Sequence, residues 1–218
     1  MDSALLVNAL VSYICLIIII TFHEAAHAWT AWKRGDDTAR LLGRISLNPI
    51  VHMEVIGTVV LPLAGLFLGA TGSRAAGFII GWGKPVPFNP ARLKHGNYDG
   101  MLIALAGPAM NVVLAMVAVI LARIAVVGNA GMIAEFLVHL ALLSLFLCFF
   151  NLLPIPPLDG SHVARFLLNW SDEMYFRVAQ FGFIIIIVVI QIPAVRGAIG
   201  FLTNGTLKLM LRTVGFEL

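Results

Sequence analysis

The sequence predicts an all-α polytopic membrane protein. Three observations carry this. Of the 218 residues, 60% are hydrophobic and 11% charged. The mean hydropathy is +0.97. The apolar residues also gather in runs near the ~20 residues that a helix needs to cross a bilayer core. This composition excludes an ordinary soluble domain. It divides into five to six hydrophobic helical segments, with a re-entrant segment and a small membrane-associated β-hairpin. Residues 1–218 read as a single membrane-embedded domain, with a core over 5–170 and C-terminal transmembrane helices over 174–212.

The net charge of +3 fits Lys and Arg on a cytoplasmic face, and no nucleic-acid partner is expected. Cys15 and Cys148 lie in apolar runs without metal-ligand spacing, so each reads as a buried thiol. Met1-Asp2-Ser3 has neither a positive n-region nor a cleavage site, so the first helix is expected to be retained.

The first helix runs from Leu5 to about Trp32. It ends at Gly35-Asp36-Asp37, with Trp29, Trp32, Lys33 and Arg34 as an interfacial anchor. A polar connection follows over 36–53. Residues 55–68 are apolar but short for a span, and are interrupted by Gly57, Pro62 and Gly65. A dip into the membrane is as good a reading as a crossing. Phe78–Pro90, with its β-formers, glycines and prolines, predicts an extended strand or hairpin. Tyr98 to Val127 and Met132 to Leu153 are the next long helices. Pro154, Pro156 and Pro157 then prevent regular helix. Leu158-Asp159-Gly160 and a short amphipathic stretch lead to Ser171-Asp172-Glu173, an N-cap signal. Phe176–Ile192 is a further span, and residues 194–211 a less hydrophobic last one.

Within the first helix stands His23-Glu24-Ala25-Ala26-His27. Residues four apart share a helix face, so two imidazoles can meet one ion. A pair of neutral imidazoles suits zinc, which in catalytic sites takes a third protein ligand and leaves a position open. Glu24, one step round, can act as a base on water without being a ligand. Three ionisable groups at membrane depth are costly to bury, which argues for function over chance. For the third ligand, most acidic residues sit at helix ends or termini: Asp36 and Asp37 with solvent as the usual partner, Glu54 and Asp99 in a dipole role. Asp159 differs. It lies in a proline-broken segment directly after a span, where irregular backbone is tolerated only beside a cavity or within protein. His52, His95, His139 and His162 are competing ligands. The 78–88 strand offers a possible edge for a substrate chain, at Gly81, Trp82, Gly83, Lys84 and Pro85.

Taken in order, these motifs resemble the site-2 protease family of zinc intramembrane metalloproteases. His23–His27 is followed by Asn48-Pro49-Ile50-Val51-His52, then Gly81-Trp82-Gly83-Lys84-Pro85-Val86-Pro87. Gly107-Pro108-Ala109-Met110-Asn111 and the run from Asn151 to Gly160 complete the match over residues 20–165. The resemblance implies a zinc ion on His23, His27 and Asp159, one per chain, with Glu24 as catalytic base. It implies that Asn111 and Asn151 hold substrate backbone or an oxyanion; helix–helix hydrogen bonding is the plain alternative for both. The chain is similar to the minimal branch, lacking PDZ and CBS segments. The implied activity is hydrolysis of peptide bonds in or near transmembrane segments. A membrane-protein substrate and the lipid bilayer are the expected partners, without a soluble cofactor. The expected location is a prokaryotic cell membrane. The rival readings are a catalytically silent scaffold and a transporter with a structural metal, the latter lacking the repeat symmetry it would show.

Depth adds a topological expectation. His27 lies six residues, about 9 Å, before Lys33. Asp159 must reach the same level, which requires 55–68 to enter and return. The basic residues of both connections, including Arg40, Arg44, Arg74 and Lys84, then face the cytoplasm, with the N-terminus outside and the site nearer the cytoplasmic face.

Overall fold

A computed structural model of the protein describes residues 3–70 and 82–216. Helix α1 is Ser3–Lys33 and α2 the single turn Thr38–Leu41. A π-helical stretch, Val55–Val60, runs into α3, Leu61–Ala70. Then follow α4 (Asn97–Val127), α5 (Gly131–Asn151), α6 (Gly160–Leu167), α7 (Asp172–Ala179), α8 (Gly182–Gln191) and α9 (Pro193–Thr213).

Among the described residues, three helices are long and apolar enough to cross a membrane: Val7–Lys33, α4 and α5. Of the expected five to six hydrophobic helical segments, three have the length and composition of spans. A fourth is available if α7 and α8, bent by 63° at their junction, count together. The bend divides the expected 176–192 span, and Gly182, the first residue of α8, lies against the Pro156 carbonyl. Helix α9 has the length, but Arg196, Lys208 and Arg212 leave it too polar.

Helices α1, α4, α5 and α9 share one core. Cys15 and Ile19 meet Ala115, Ala118 and Val119 of α4, Leu140, Ala141 and Leu145 of α5, and Leu207 and Met210 of α9. Alanines at this contact let backbones approach closely, which is how helices gain packing where lipid is as apolar as leucine. Ser144 Oγ adds a 2.8 Å bond to the Asn111 carbonyl across α4 and α5. A second cluster, Phe150, Leu158, Ile186 and Ile199, fixes the proline-rich turn against α8 and α9. That turn carries Asp159.

The two connections join at one end of α1. Lys84 N–H donates to the His52 carbonyl at 2.8 Å and Trp82 N–H to Gly57 at 3.2 Å. The chain that leaves at residue 52 is thus back at the same level by residue 84, as a re-entrant segment requires. Asp36 ties the connections from below. It accepts from Thr38 N at 3.0 Å, Thr38 Oγ1 at 2.5 Å and Asn89 N at 2.5 Å. The expectation of a solvated Asp36 is overturned, because it is fully buried. Burial pushes its carboxyl up, and the donors from Thr38 and Asn89 outweigh this and hold it below the usual carboxylate range. Asp99 is also buried, accepting from His95 N at 2.8 Å with Arg34 3.7 Å away. Glu54 caps the π-helical stretch through Gly57 N at 2.6 Å.

The expected hairpin is not formed among the described residues. Phe78–Gly81 lie outside them, and residues 82–89 have no regular secondary structure. Pro85 and Pro87 each remove a ladder donor, which limits this segment to isolated pairings.

Candidate metal centre

Helix α1 places His23 and His27 one turn apart on the same face, both buried. The proline turn brings Asp159 to them. Among the described residues these three are the group of His, Cys, Asp or Glu whose ligand atoms converge, all within 4.8 Å of one another. His23 Nε2 lies 3.0 Å from His27 Nε2. Asp159 Oδ2 is 3.2 Å from His23 Nε2 and Oδ1 is 3.4 Å from His27 Nε2.

These side chains fit a zinc ion. His27 Nδ1 lies 2.7 Å from the Ile103 carbonyl and so carries the donated proton. In the neutral ring this leaves Nε2 as a bare lone pair turned inward. Two imidazole nitrogens and a carboxylate facing one another in a buried site repel unless a cation or proton lies between them. Asp159 Oδ2 is itself buried without a hydrogen-bond partner. Zinc bonds of about 2.0–2.2 Å in tetrahedral geometry set neighbouring ligand atoms about 3.3 Å apart. The three separations bracket that value.

The approach depends on two glycines. Gly107 of α4 lies under both imidazoles, and a Cβ there would fall 2.5 Å from His23 Cε1 and 2.6 Å from His27 Cε1. Gly160, directly after Asp159, packs on the Leu152 and Leu153 carbonyls, where a side chain has no room. Sequence reasoning noted Gly107 only as part of a motif. A glycine inside a membrane helix was the available signal of close approach.

The competing histidines stay outside the group. His52 is fully buried, its ring Nε2–H donating to Ser46 O at 2.7 Å. Burial holds that imidazole below its usual pKa. The His139 ring pairs with Ser12 Oγ at 2.9 Å, between α5 and α1. His162 pairs with Tyr175 Oη at 3.3 Å and meets Phe88 edge to face. His95 enters through its backbone N–H on Asp99.

Glu24 is half-buried, on the α1 face next to the ligands. Gly83 lies against it: a Cβ on Gly83 would be 3.4 Å from Glu24 Oε1. Asn111 is one turn beyond Gly107 on α4, fully buried, with neither amide atom hydrogen-bonded. Asn151 ends α5 and is half-buried. In the 81–85 edge, Trp82 and Lys84 are already bonded inward. Their N–H groups go to Gly57 and His52, and their carbonyls receive Thr58 Oγ1 at 2.8 Å and the Arg44 guanidinium. Among the described residues the N–H and C=O of Gly83 itself form no hydrogen bond. Gly81 lies outside the described residues.

Comparison with known proteins places these features in a family. Residues 11–130 and 124–192 match the description "Peptidase family M50". Over 188 residues the chain is 35% identical to the "Putative zinc metalloprotease YwhC" of Bacillus subtilis, covering 83% of this chain and 80% of that protein. It is 29% identical over 181 residues to the "Putative zinc metalloprotease Rip2" of Mycolicibacterium smegmatis, covering 83% of this chain and 66% of that protein. The Rip2 protein of Mycobacterium tuberculosis strain H37Rv is 28% identical over 183 residues, with the same two coverages. No solved structure matches.

Proposed function

The chain belongs to peptidase family M50, the site-2 protease family, and from that premise we propose that it is a zinc-dependent endopeptidase cutting membrane proteins in or beside their transmembrane segments. The observation that carries this is the convergence of His23 Nε2, His27 Nε2 and Asp159 on one point, from a helix of membrane length and a proline turn. His23, His27 and Asp159 would hold the metal, one per chain. Zinc there supplies a Lewis acid that polarises a carbonyl and lowers the pKa of water to about 7.

The chain's own residues do the rest. Glu24 takes a proton from the attacking water on its carboxylate and returns it to the leaving amine nitrogen. The Ile103 carbonyl fixes the His27 tautomer, so the ring presents Nε2 throughout. Asn111, buried with a free amide one turn from Gly107, and Asn151 hold the substrate backbone or the developing oxyanion. A substrate helix must open locally, because its backbone groups are already paired. Gly83 offers the opened chain one N–H and one C=O beside Glu24, with the Pro85 carbonyl next along that edge.

The protein is a membrane protein, and we assign it several passes through a cell membrane. Lys33, Arg34, Arg40, Arg44, Lys84, Arg92 and Lys94 all belong to the connections gathered at one end of α1. That end is assigned to the cytoplasm, with the site near it. The partners are the bilayer and a membrane-protein substrate. The test is proteomics of membrane fractions from cells making the wild-type protein or Glu24→Gln. A membrane-bound stub should accumulate with Glu24→Gln, while the purified variant keeps its zinc. Identical fragment profiles would refute the reading.

A further inference from the structure

Beside the metal face, α1 meets a second buried polar cluster. Arg44, in the turn after α2, is only 4% exposed. Its guanidinium donates to the Lys84 carbonyl, while its Nε has no partner. Among the described residues no carboxylate forms an ion pair with it. A guanidinium withdrawn from water without a paired anion is destabilising, so its retention in the fold asks for a role.

What it holds is specific. The Lys84 carbonyl is taken by Arg44 and the Lys84 N–H by the His52 carbonyl at 2.8 Å. His52 is anchored in turn through its ring to Ser46 O at 2.7 Å. Lys84 is thus gripped on both of its backbone polar groups. The residue before it, Gly83, is thereby pressed onto α1. A Cβ on Gly83 would stand 2.6 Å from Ile20 Cγ2, 3.3 Å from His52 O and 3.4 Å from Glu24 Oε1. Ile20 and Glu24 are one helical turn apart, so Gly83 covers the α1 face that carries the base.

We propose that Arg44 is a positioning residue for Glu24: by clamping the Lys84 carbonyl it keeps Gly83 against the carboxylate and restricts where that carboxylate can point. The proposal rests on Glu24 being the general base. Arg44 itself touches neither metal ligands nor reacting atoms. Its loss therefore lowers turnover and leaves metal binding intact. A general base must lie within hydrogen-bond reach of the proton it takes, so a carboxylate free to rotate away costs rate before it costs affinity.

The test uses purified full-length protein, zinc-loaded in detergent, with fluorescein-labelled β-casein as an unfolded-chain probe. The variants are Arg44→Gln, Arg44→Lys, Gly83→Ala and Glu24→Gln, the last setting the level without a base. Arg44→Gln should lower kcat at least tenfold, with KM within twofold and zinc content unchanged, and Gly83→Ala should lower kcat at least tenfold with zinc content unchanged. Arg44→Lys, which keeps a cationic donor for the carbonyl, should recover part of the loss. Hydrogen exchange gives a readout free of substrate. In Arg44→Gln the Lys84 amide should exchange at least tenfold faster, while amides of residues 103–111 keep wild-type protection and report an intact fold. Unchanged exchange at Lys84 overturns the proposal whatever the turnover. Wild-type kcat in Arg44→Gln, with Glu24→Gln inactive, overturns the clamp alone. Wild-type kcat in Glu24→Gln overturns the base assignment, and the role of the clamp with it.

Discussion

Replacing Gly107 by alanine should weaken zinc binding without replacing a ligand. The added Cβ would stand 2.5 Å from His23 Cε1 and 2.6 Å from His27 Cε1. Carbon atoms rest at about 3.5–4.0 Å. The imidazoles or α4 must therefore yield by about 1 Å, whereas zinc–ligand distances tolerate about 0.2 Å. Neither partner moves freely. The His27 ring is tied to the Ile103 carbonyl at 2.7 Å, and α4 is packed on α5 through Ala115, Ala118 and the Ser144–Asn111 bond. Overpacking of this kind costs about 1–3 kcal/mol. If that falls on the metal-bound state, affinity drops about 5- to 150-fold. The assay is chelator competition on purified protein, with circular dichroism to follow helix content. Gly100→Ala, in the same helix but with open space around its Cβ position, is the matched control and should bind zinc like wild type. Wild-type affinity in Gly107→Ala would show that the imidazoles are not seated on α4 as described.

Asp159→Ala should lose most of the zinc measured by elemental analysis, since two imidazoles alone make a weak site; full zinc content would remove Asp159 from the ligand set. Asn111→Ala should lower kcat on a cleavable substrate more than it lowers zinc content, and equal losses of zinc and turnover would assign Asn111 to helix packing instead. Asp36→Asn bears on the connection between residues 36 and 89. Its carboxyl is held below the usual range in the folded protein, so its contribution is present above a pH of about 4 and fades as pH falls through the folded value. At neutral pH the variant should be destabilised by about 2 kcal/mol, the scale of hydrogen bonds to a charged group. In thermal scans its gap to wild type should close on acidification, and a gap independent of pH would mean that the charge of Asp36 contributes nothing.

The convergence of His23, His27 and Asp159 was legible because two of the three stand at fixed local spacing. His23, Glu24 and His27 need only helix periodicity to be placed. Asp159 announces itself by sitting where a proline-broken chain should carry no unpaired charge. The long helices α1, α4 and α5 were legible for the same reason, to within two residues of their observed ends. What sequence could not supply was tertiary neighbourhood. Asp36 reads as a solvated helix end until Asn89, from a distant segment, turns out to donate to it. Residues 176–192 read as one span until Gly182 docks on the Pro156 carbonyl and bends it. The 78–90 stretch reads as a hairpin by composition, yet the described part of it pairs with residues 52–58 and not with itself.

The two glycines show what that neighbourhood does for function. Helix α1 carries polar groups on two adjacent faces, His23 and His27 on one and Glu24 with Ile20 on the next. Gly107 closes on the first face and Gly83 on the second. A side chain at either position would run into the α1 side chains that pack there. The ionisable groups would then be left to lipid or water instead of to one another. A helix of membrane length tolerates such groups only if protein covers them. Seen this way, the missing side chains at 83 and 107 are as much a condition of the chemistry as the side chains at 23, 24 and 27.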